Sequence, residues 1–290
     1  MRMRSLALGL ALVAVAALVA VDAARPHADS PRSRAQSVAL ERTIYSPAVK
    51  GRLRLAVYLP AGYGDGNRRY PVLYFLHGLP ASSSSYRGAD FLAGTLAASG
   101  RRAIIVAPQG ARDNDSDPEY LDWGNGRKWE TAITRDVVGY VDSHFRTIAT
   151  RKARAIVGLS AGGYGAVILA LHHLPSFSVV ESWSGYFHPT DPDGVQELDL
   201  GSRTANERAS AHSFVSGLRR GLARRPTFFA FYVGREDKRF RAENHLFDRE
   251  LRAARVPHVF RVYPGGHEQS VWSTHAQSWL ALAVDHLSAQ

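Results

Sequence analysis

No cysteine occurs in the 290-residue chain. A disulfide scaffold, a thiolate metal site and a cysteine nucleophile are therefore excluded. Lysine is nearly as scarce. Apart from Lys50, Lys128, Lys152 and Lys238, the 36 basic residues are all arginine, and they outweigh 26 acidic ones for a net charge of +10. The arginines are dispersed, in nothing longer than pairs such as Arg101-Arg102 and Arg219-Arg220. With no basic block or stripe, no nucleic-acid partner is expected, and the charge predicts only weak attraction to anionic polymers. Internal repeats are lacking, and so is any long apolar run after residue 21. What is there is ordinary for a globular chain, 45% hydrophobic and 21% charged, which excludes wholesale disorder and a collagen-like rod.

The one long apolar run, Leu6 to Val21, follows Arg2 and Arg4 and precedes Asp22-Ala23-Ala24. A basic start, an apolar middle and small residues at the end are the pattern of an export signal. Residues 1–24 are read as a signal peptide cut near Ala23 or Ala24. The run is slightly short for a spanning helix, so an uncleaved anchor is the lesser reading and no stable membrane insertion is expected after cleavage. The protein is expected outside the cell or at its wall. Residues 25–37, with two prolines and few apolar groups, read as a flexible linker. Residues 38–290 read as a single domain.

Within that domain, strand-like runs fall at Leu53–Leu59, Val72–Leu76, Ala103–Ala107, Ala155–Gly158, Val179–Trp183, Phe228–Val233 and Val259–Tyr263. Several are apolar on both faces, as strands of a covered parallel sheet are. Helical spacing lies between them: Ile133, Val137, Val141 and Phe145; Phe240, Phe247, Leu251 and Ala254; and Trp272, Ala276, Trp279, Leu280 and Ala283. The alternation predicts one α/β domain with a mostly parallel central sheet and helices on both faces.

The sharpest chemical signal is Gly158-Leu159-Ser160-Ala161-Gly162, between the strand at Ala155 and a helix opening on Gly163-Tyr164-Gly165-Ala166. A serine in a tight strand-to-helix turn, flanked by glycines that avoid a clash, is a nucleophile elbow. The helix N-terminus there favours developing negative charge. Serine needs a base, and in this arrangement the acid and then the histidine follow in chain order. Phe228–Val233 runs into Gly234-Arg235-Glu236-Asp237, and Val259–Tyr263 into Pro264-Gly265-Gly266-His267. His267 is the expected base. Asp237 is favoured as the acid, with its neighbour Glu236 open. For the oxyanion hole, the Ala161 N–H and the Leu79 N–H, in the loop after Tyr74-Phe75-Leu76-His77-Gly78, are the expected donors. His77 is expected to order that loop or to touch substrate. Trp123, Tyr186 and Trp272 are expected in the substrate pocket.

Taken together, these segments and Trp272 resemble the esterase D/antigen 85 family of α/β-hydrolases over Leu53 to Leu287. That resemblance implies an α/β-hydrolase fold, a Ser160–Asp237–His267 triad, oxyanion donors at Leu79 and Ala161, and no cofactor. It implies a carboxylic ester substrate, small or polysaccharide-linked. The family also holds mycolyltransferases, whose early loop carries Asp-Gly where this chain has His77-Gly78, and S-formylglutathione hydrolases, whose intracellular activity fits an export signal poorly. The expectation is a secreted serine ester hydrolase. An exported acyltransferase and a non-catalytic wall-binding protein are its rivals.

No metal site is expected. His267-Glu268 is not continued as a zinc-protease helix, because position 271 is Val. Asp113-Asn114-Asp115 lacks the glycine of a calcium loop. His172-His173 reads as a helix end.

Overall fold

The protein is described here by a computed structural model covering residues 38–115, 119–190 and 196–288. The expected signal peptide and linker lie outside the described residues.

Eight strands form one sheet: β1 (Val38–Ser46), β2 (Gly51–Leu59), β3 (Val72–Leu76), β4 (Ile104–Pro108), β5 (Arg154–Leu159), β6 (Val179–Trp183), β7 (Phe228–Gly234) and β8 (Val259–Tyr263). Their spatial order is β1-β2-β4-β3-β5-β6-β7-β8. β1 and β2 pair antiparallel, and β2 lies antiparallel on β4. From β4 to β8 every pairing is parallel. β1 escapes the sequence pattern because it is an edge strand whose Glu41 and Arg42 interrupt the apolar alternation. The central strands do show the pattern, since β3, β4 and β6 are buried along their whole length.

The helices are α1 (Asp90–Ala98), α2 (Trp129–Thr131), α3 (Val138–His144), α4 (Ala161–His172), α5 (Arg203–Ala209), α6 (Val215–Arg224), α7 (Arg241–Ala253) and α8 (Gln269–Asp285). A π-helical stretch, Ala132–Val137, joins α2 to α3. Alternate strand residues feed two apolar layers. Leu73, Phe75, Val157, Trp183 and Tyr232 meet Leu92 of α1 and Trp279 of α8 on one face. Tyr74, Ile156, Val180 and Phe231 meet Val167 of α4, Leu218 of α6 and Phe247 of α7 on the other. This is an α/β-hydrolase architecture.

One charged group breaks the apolar rule. Glu181, in the middle of β6, is fully buried. Trp183 Nε1–H donates to its carboxyl at 3.0 Å and Tyr232 O–H at 3.1 Å. Burial pushes its pKa up to about 8, against the pull of those two donors toward the anion. The folded chain therefore holds a proton that the unfolded chain releases above its ordinary value of 4.5. Stability from this group is complete below that value and is lost as pH rises through about 8, by at most about 1.4 kcal/mol per pH unit. Glu181→Gln retains the two hydrogen bonds, the amide oxygen accepting from Trp183 and the amide N–H donating to the Tyr232 oxygen. Urea unfolding at pH 5.5 and pH 8 is expected to show a smaller loss of stability in this variant than in the parent. Equal losses would mean that Glu181 is ionised throughout.

Candidate active site

The six parallel strands, β3 to β8, end at the carboxyl edge of the sheet, where open parallel sheets place their functional loops. β5 enters its turn at Ser160, which adopts φ 54°, ψ −123°. That region is costly for a residue with a side chain, by about 1–3 kcal/mol. Two features hold it. Ser160 N–H donates to the Trp183 carbonyl at 2.9 Å, and the Ser160 carbonyl receives the N–H groups of Gly163 and Tyr164 that start α4. The flanking glycines are steric necessities. A Cβ on Gly158 would land on the Gly162 carbonyl, and one on Gly162 would land on the Leu76 carbonyl.

Beyond β8, His267 presents both nitrogens to partners. Nε2 lies 2.9 Å from Ser160 Oγ, and Nδ1 lies 2.9 Å from Asp237 Oδ2. The Asp237 carboxyl can only accept when ionised, so the proton between them sits on Nδ1 and Nε2 offers its lone pair to the serine hydroxyl. Asp237 is almost fully buried, and its other oxygen accepts N–H bonds from Arg239 and Phe240, each at 3.0 Å. Glu236 does different work. Its Oε2 accepts the Gly265 N–H at 2.5 Å, while its own N–H donates to the Gly265 carbonyl at 3.0 Å. Glu236 clamps the loop that carries His267, whereas Asp237 meets His267 itself.

Leu79 and Ala161 line one small space, together with His77 and Gly78. Ala161 is the first residue of α4, so its N–H has no partner within the helix. Between Leu79 and Trp272 opens a cavity of about 650 Å³ that reaches Ser160 and His267. Phe75, Leu79, Leu159, Tyr186, Phe240 and Trp272 give its walls apolar surface, and Thr190, Arg239 and Gln269 add polar groups.

His77 lines this cavity, but both of its nitrogens are engaged. Nδ1 lies 3.0 Å from the Gly78 carbonyl, and Nε2 accepts the Gly110 N–H at 3.0 Å. Burial pushes its pKa down to about 4, so the ring is neutral at physiological pH and acts on the loop. Tyr120 O–H ties the same loop by donating to the His77 carbonyl at 2.6 Å. Tyr186 lines the cavity by its ring and donates its O–H to Glu119 at 2.7 Å. Trp272 stands edge-on to His267 at 5.1 Å and donates Nε1–H to Ser184 Oγ at 3.1 Å.

Trp123 is not among the described residues that line this cavity. Its N–H donates to the Arg127 carbonyl at 3.0 Å in a tight turn, and its ring packs against the apolar core. Sequence reading missed Arg239, Phe240 and Thr190 as cavity residues. Arg239 and Phe240 could have been found, because they immediately follow the candidate acid and their N–H groups bind it. Thr190 had no signal.

Residues 46–281 match a family model described as "Putative esterase". The chain is 33% identical over 129 residues to Esterase MT1326 of Mycobacterium tuberculosis (strain CDC 1551 / Oshkosh), over 44% of this chain and 28% of that protein. It is 30% identical over 148 residues to the diacylglycerol acyltransferase/mycolyltransferase Ag85A of Mycobacterium leprae (strain TN), over 48% of this chain and 43% of that protein. Both matches thus span less than half of the relative's length. A solved ferulic acid esterase superposes with a TM-score of 0.74 at 25% identity, over 88% of this chain and all of that one.

Proposed function

The chain belongs to the "Putative esterase" family, and we propose that it is a serine ester hydrolase working through an acyl-enzyme. The observation that carries this reading is the unbroken chain Ser160 Oγ–His267–Asp237, with both links at 2.9 Å.

In the proposed mechanism the ester carbonyl lies over Ser160, with its oxygen toward the Leu79 and Ala161 N–H groups. His267 Nε2 takes the hydroxyl proton as Oγ attacks the carbonyl carbon. Negative charge builds on the carbonyl oxygen, where the Leu79 and Ala161 N–H groups are the proposed donors. Asp237 holds the imidazole in the productive tautomer and stabilises the imidazolium. The intermediate collapses by breaking the bond to the alcohol oxygen, which takes the proton from Nε2 as the alcohol departs. Water then repeats the sequence: His267 removes its proton, hydroxyl adds to the acyl carbon, and the acid leaves with Ser160 restored. No step calls on a cofactor.

The cavity suits a short or aromatic acyl group. Phe75, Phe240 and Trp272 offer ring surface, while Arg239 and Gln269 offer hydrogen bonds to a polar alcohol part such as a sugar. The likeness to a ferulic acid esterase supports an aryl ester, and the expected export signal supports action outside the cell. Among the described residues no helix is long and apolar enough to cross a membrane.

A second reading, acyl transfer to a sugar hydroxyl, draws on the 30% identity to a mycolyltransferase. It shares the acyl-enzyme and differs only in the acceptor. The test is turnover of p-nitrophenyl acetate, p-nitrophenyl butyrate and methyl ferulate, each with and without a sugar acceptor, followed by product mass. Free acid as the main product is expected. Sugar ester exceeding free acid would establish transfer, and no turnover of any of the three esters would contradict both readings.

A further inference from the structure

Three donors meet at a place the catalytic chain does not use. His188 lies two residues beyond Tyr186 in the segment after β6. His212 sits in the short helix Ala211–Phe214, and Glu243 lies in the first turn of α7. His188 Nδ1 stands 2.6 Å from Glu243 Oε1, and His212 Nε2 stands 3.5 Å from the same oxygen. The donor atoms of all three lie within 4.8 Å of one another, and none of the residues is fully exposed. The Phe187 N–H also donates to Glu243 Oε1 at 2.7 Å, fixing the carboxylate in place.

The orientation of His212 is the second, independent observation. Its Nδ1 lies 2.5 Å from Glu250 Oε2, about two turns beyond Glu243 along α7. The ring is thus held between two carboxylates, Glu250 at Nδ1 and Glu243 at Nε2. Its Nε2 is turned toward Glu243 Oε1 across 3.5 Å, too far for a strong hydrogen bond, and a cation there would take the place of the Nε2 proton. A carboxylate behind a histidine whose other nitrogen faces further donors is how proteins orient metal-binding imidazoles.

We propose that His188 Nδ1, His212 Nε2 and Glu243 Oε1 bind a borderline-soft divalent cation of the zinc class, with Glu250 orienting His212. Zinc bonds of about 2.0–2.1 Å to nitrogen and oxygen place neighbouring donors about 3.4 Å apart. The His212–Glu243 separation already matches, and the His188–Glu243 pair must open by less than about 1 Å. Two imidazoles and one carboxylate leave the remaining position to water. None of the three residues lines the catalytic cavity, but Tyr186 and Thr190, on either side of His188, both do. A bound ion would therefore fasten that wall of the cavity to α7. The sequence gives no spacing signal, because the donors come from three elements.

His172 and His173 provide an internal control. They also face one carboxylate, but each takes a different oxygen of Glu130, at 3.0 and 2.8 Å, and His172 Nε2 faces the Arg208 carbonyl at 2.9 Å. No shared vertex is left for an ion.

The test is calorimetric titration of the chelator-treated full chain with Zn²⁺, with thermal unfolding measured alongside. The parent is expected to take up one Zn²⁺ per chain and to unfold at a higher temperature with it. His188→Asn, which keeps a donor toward Glu243, and His212→Ala are expected to lose both effects. Glu250→Gln, which leaves all three ligands intact, is expected to weaken binding about 10- to 100-fold. His173→Ala is expected to bind like the parent. The proposal is overturned if the parent binds no stoichiometric Zn²⁺, if His188→Asn and Glu250→Gln both bind as the parent does, or if His173→Ala abolishes the binding.

Discussion

Replacing Ser160 with alanine is expected to lower kcat/KM toward p-nitrophenyl acetate by about 10⁴- to 10⁶-fold, the scale on which hydrolases lose activity with their nucleophile. The size follows from the geometry. Ser160 Oγ is the atom His267 Nε2 faces at 2.9 Å, so without it the base has only water to activate. Folding should be unimpaired. The strained backbone at φ 54° is held by bonds of the Ser160 N–H and carbonyl, both of which alanine retains. Unchanged thermal unfolding with activity lost is thus the expected pair of results. Activity retained within about tenfold would place the nucleophile elsewhere.

The second large effect separates two neighbours. Asp237→Asn is expected to cost about 10³- to 10⁴-fold in kcat, because an amide at this position donates where the carboxylate accepted and so holds His267 in the wrong tautomer. Glu236→Gln is expected to cost less than about tenfold. Glutamine can still accept the Gly265 N–H, which is the contact through which Glu236 positions the loop. The comparison is made on kcat for one ester at several pH values. The reverse order of losses would make Glu236 the acid and require the β7–α7 turn to rearrange in solution.

The same pair shows where sequence reading stops. Gly234-Arg235-Glu236-Asp237 after an apolar strand locates a carboxylate at the sheet edge, but adjacent residues in a turn point in different directions. Which one meets His267 depends on where the β8 loop lies beside it. The strands of the sheet interior were legible because burial on both faces makes them continuous apolar runs bounded by Gly or Pro. β1 was not, because one of its sides faces solvent and it pairs only with β2. Ser160 was legible because the glycines its turn requires are written into the chain. Trp123 had no decisive signal, because an aromatic residue in a loop reads alike whether it packs inward or toward a pocket. The convergence of His188, His212 and Glu243 had no linear signature. Nothing periodic relates a loop, a short helix and a long one whose meeting is decided by packing on β6 and β7.

The claim on which the rest depends is that Ser160 is an activated nucleophile in an open pocket. The most direct measurement is reaction of the full chain with a fluorophosphonate, followed by peptide mass spectrometry to locate the adduct. One adduct per chain, on Ser160 and absent from Ser160→Ala, is the expected result. No adduct on a folded chain, or an adduct on a different serine, would contradict the account.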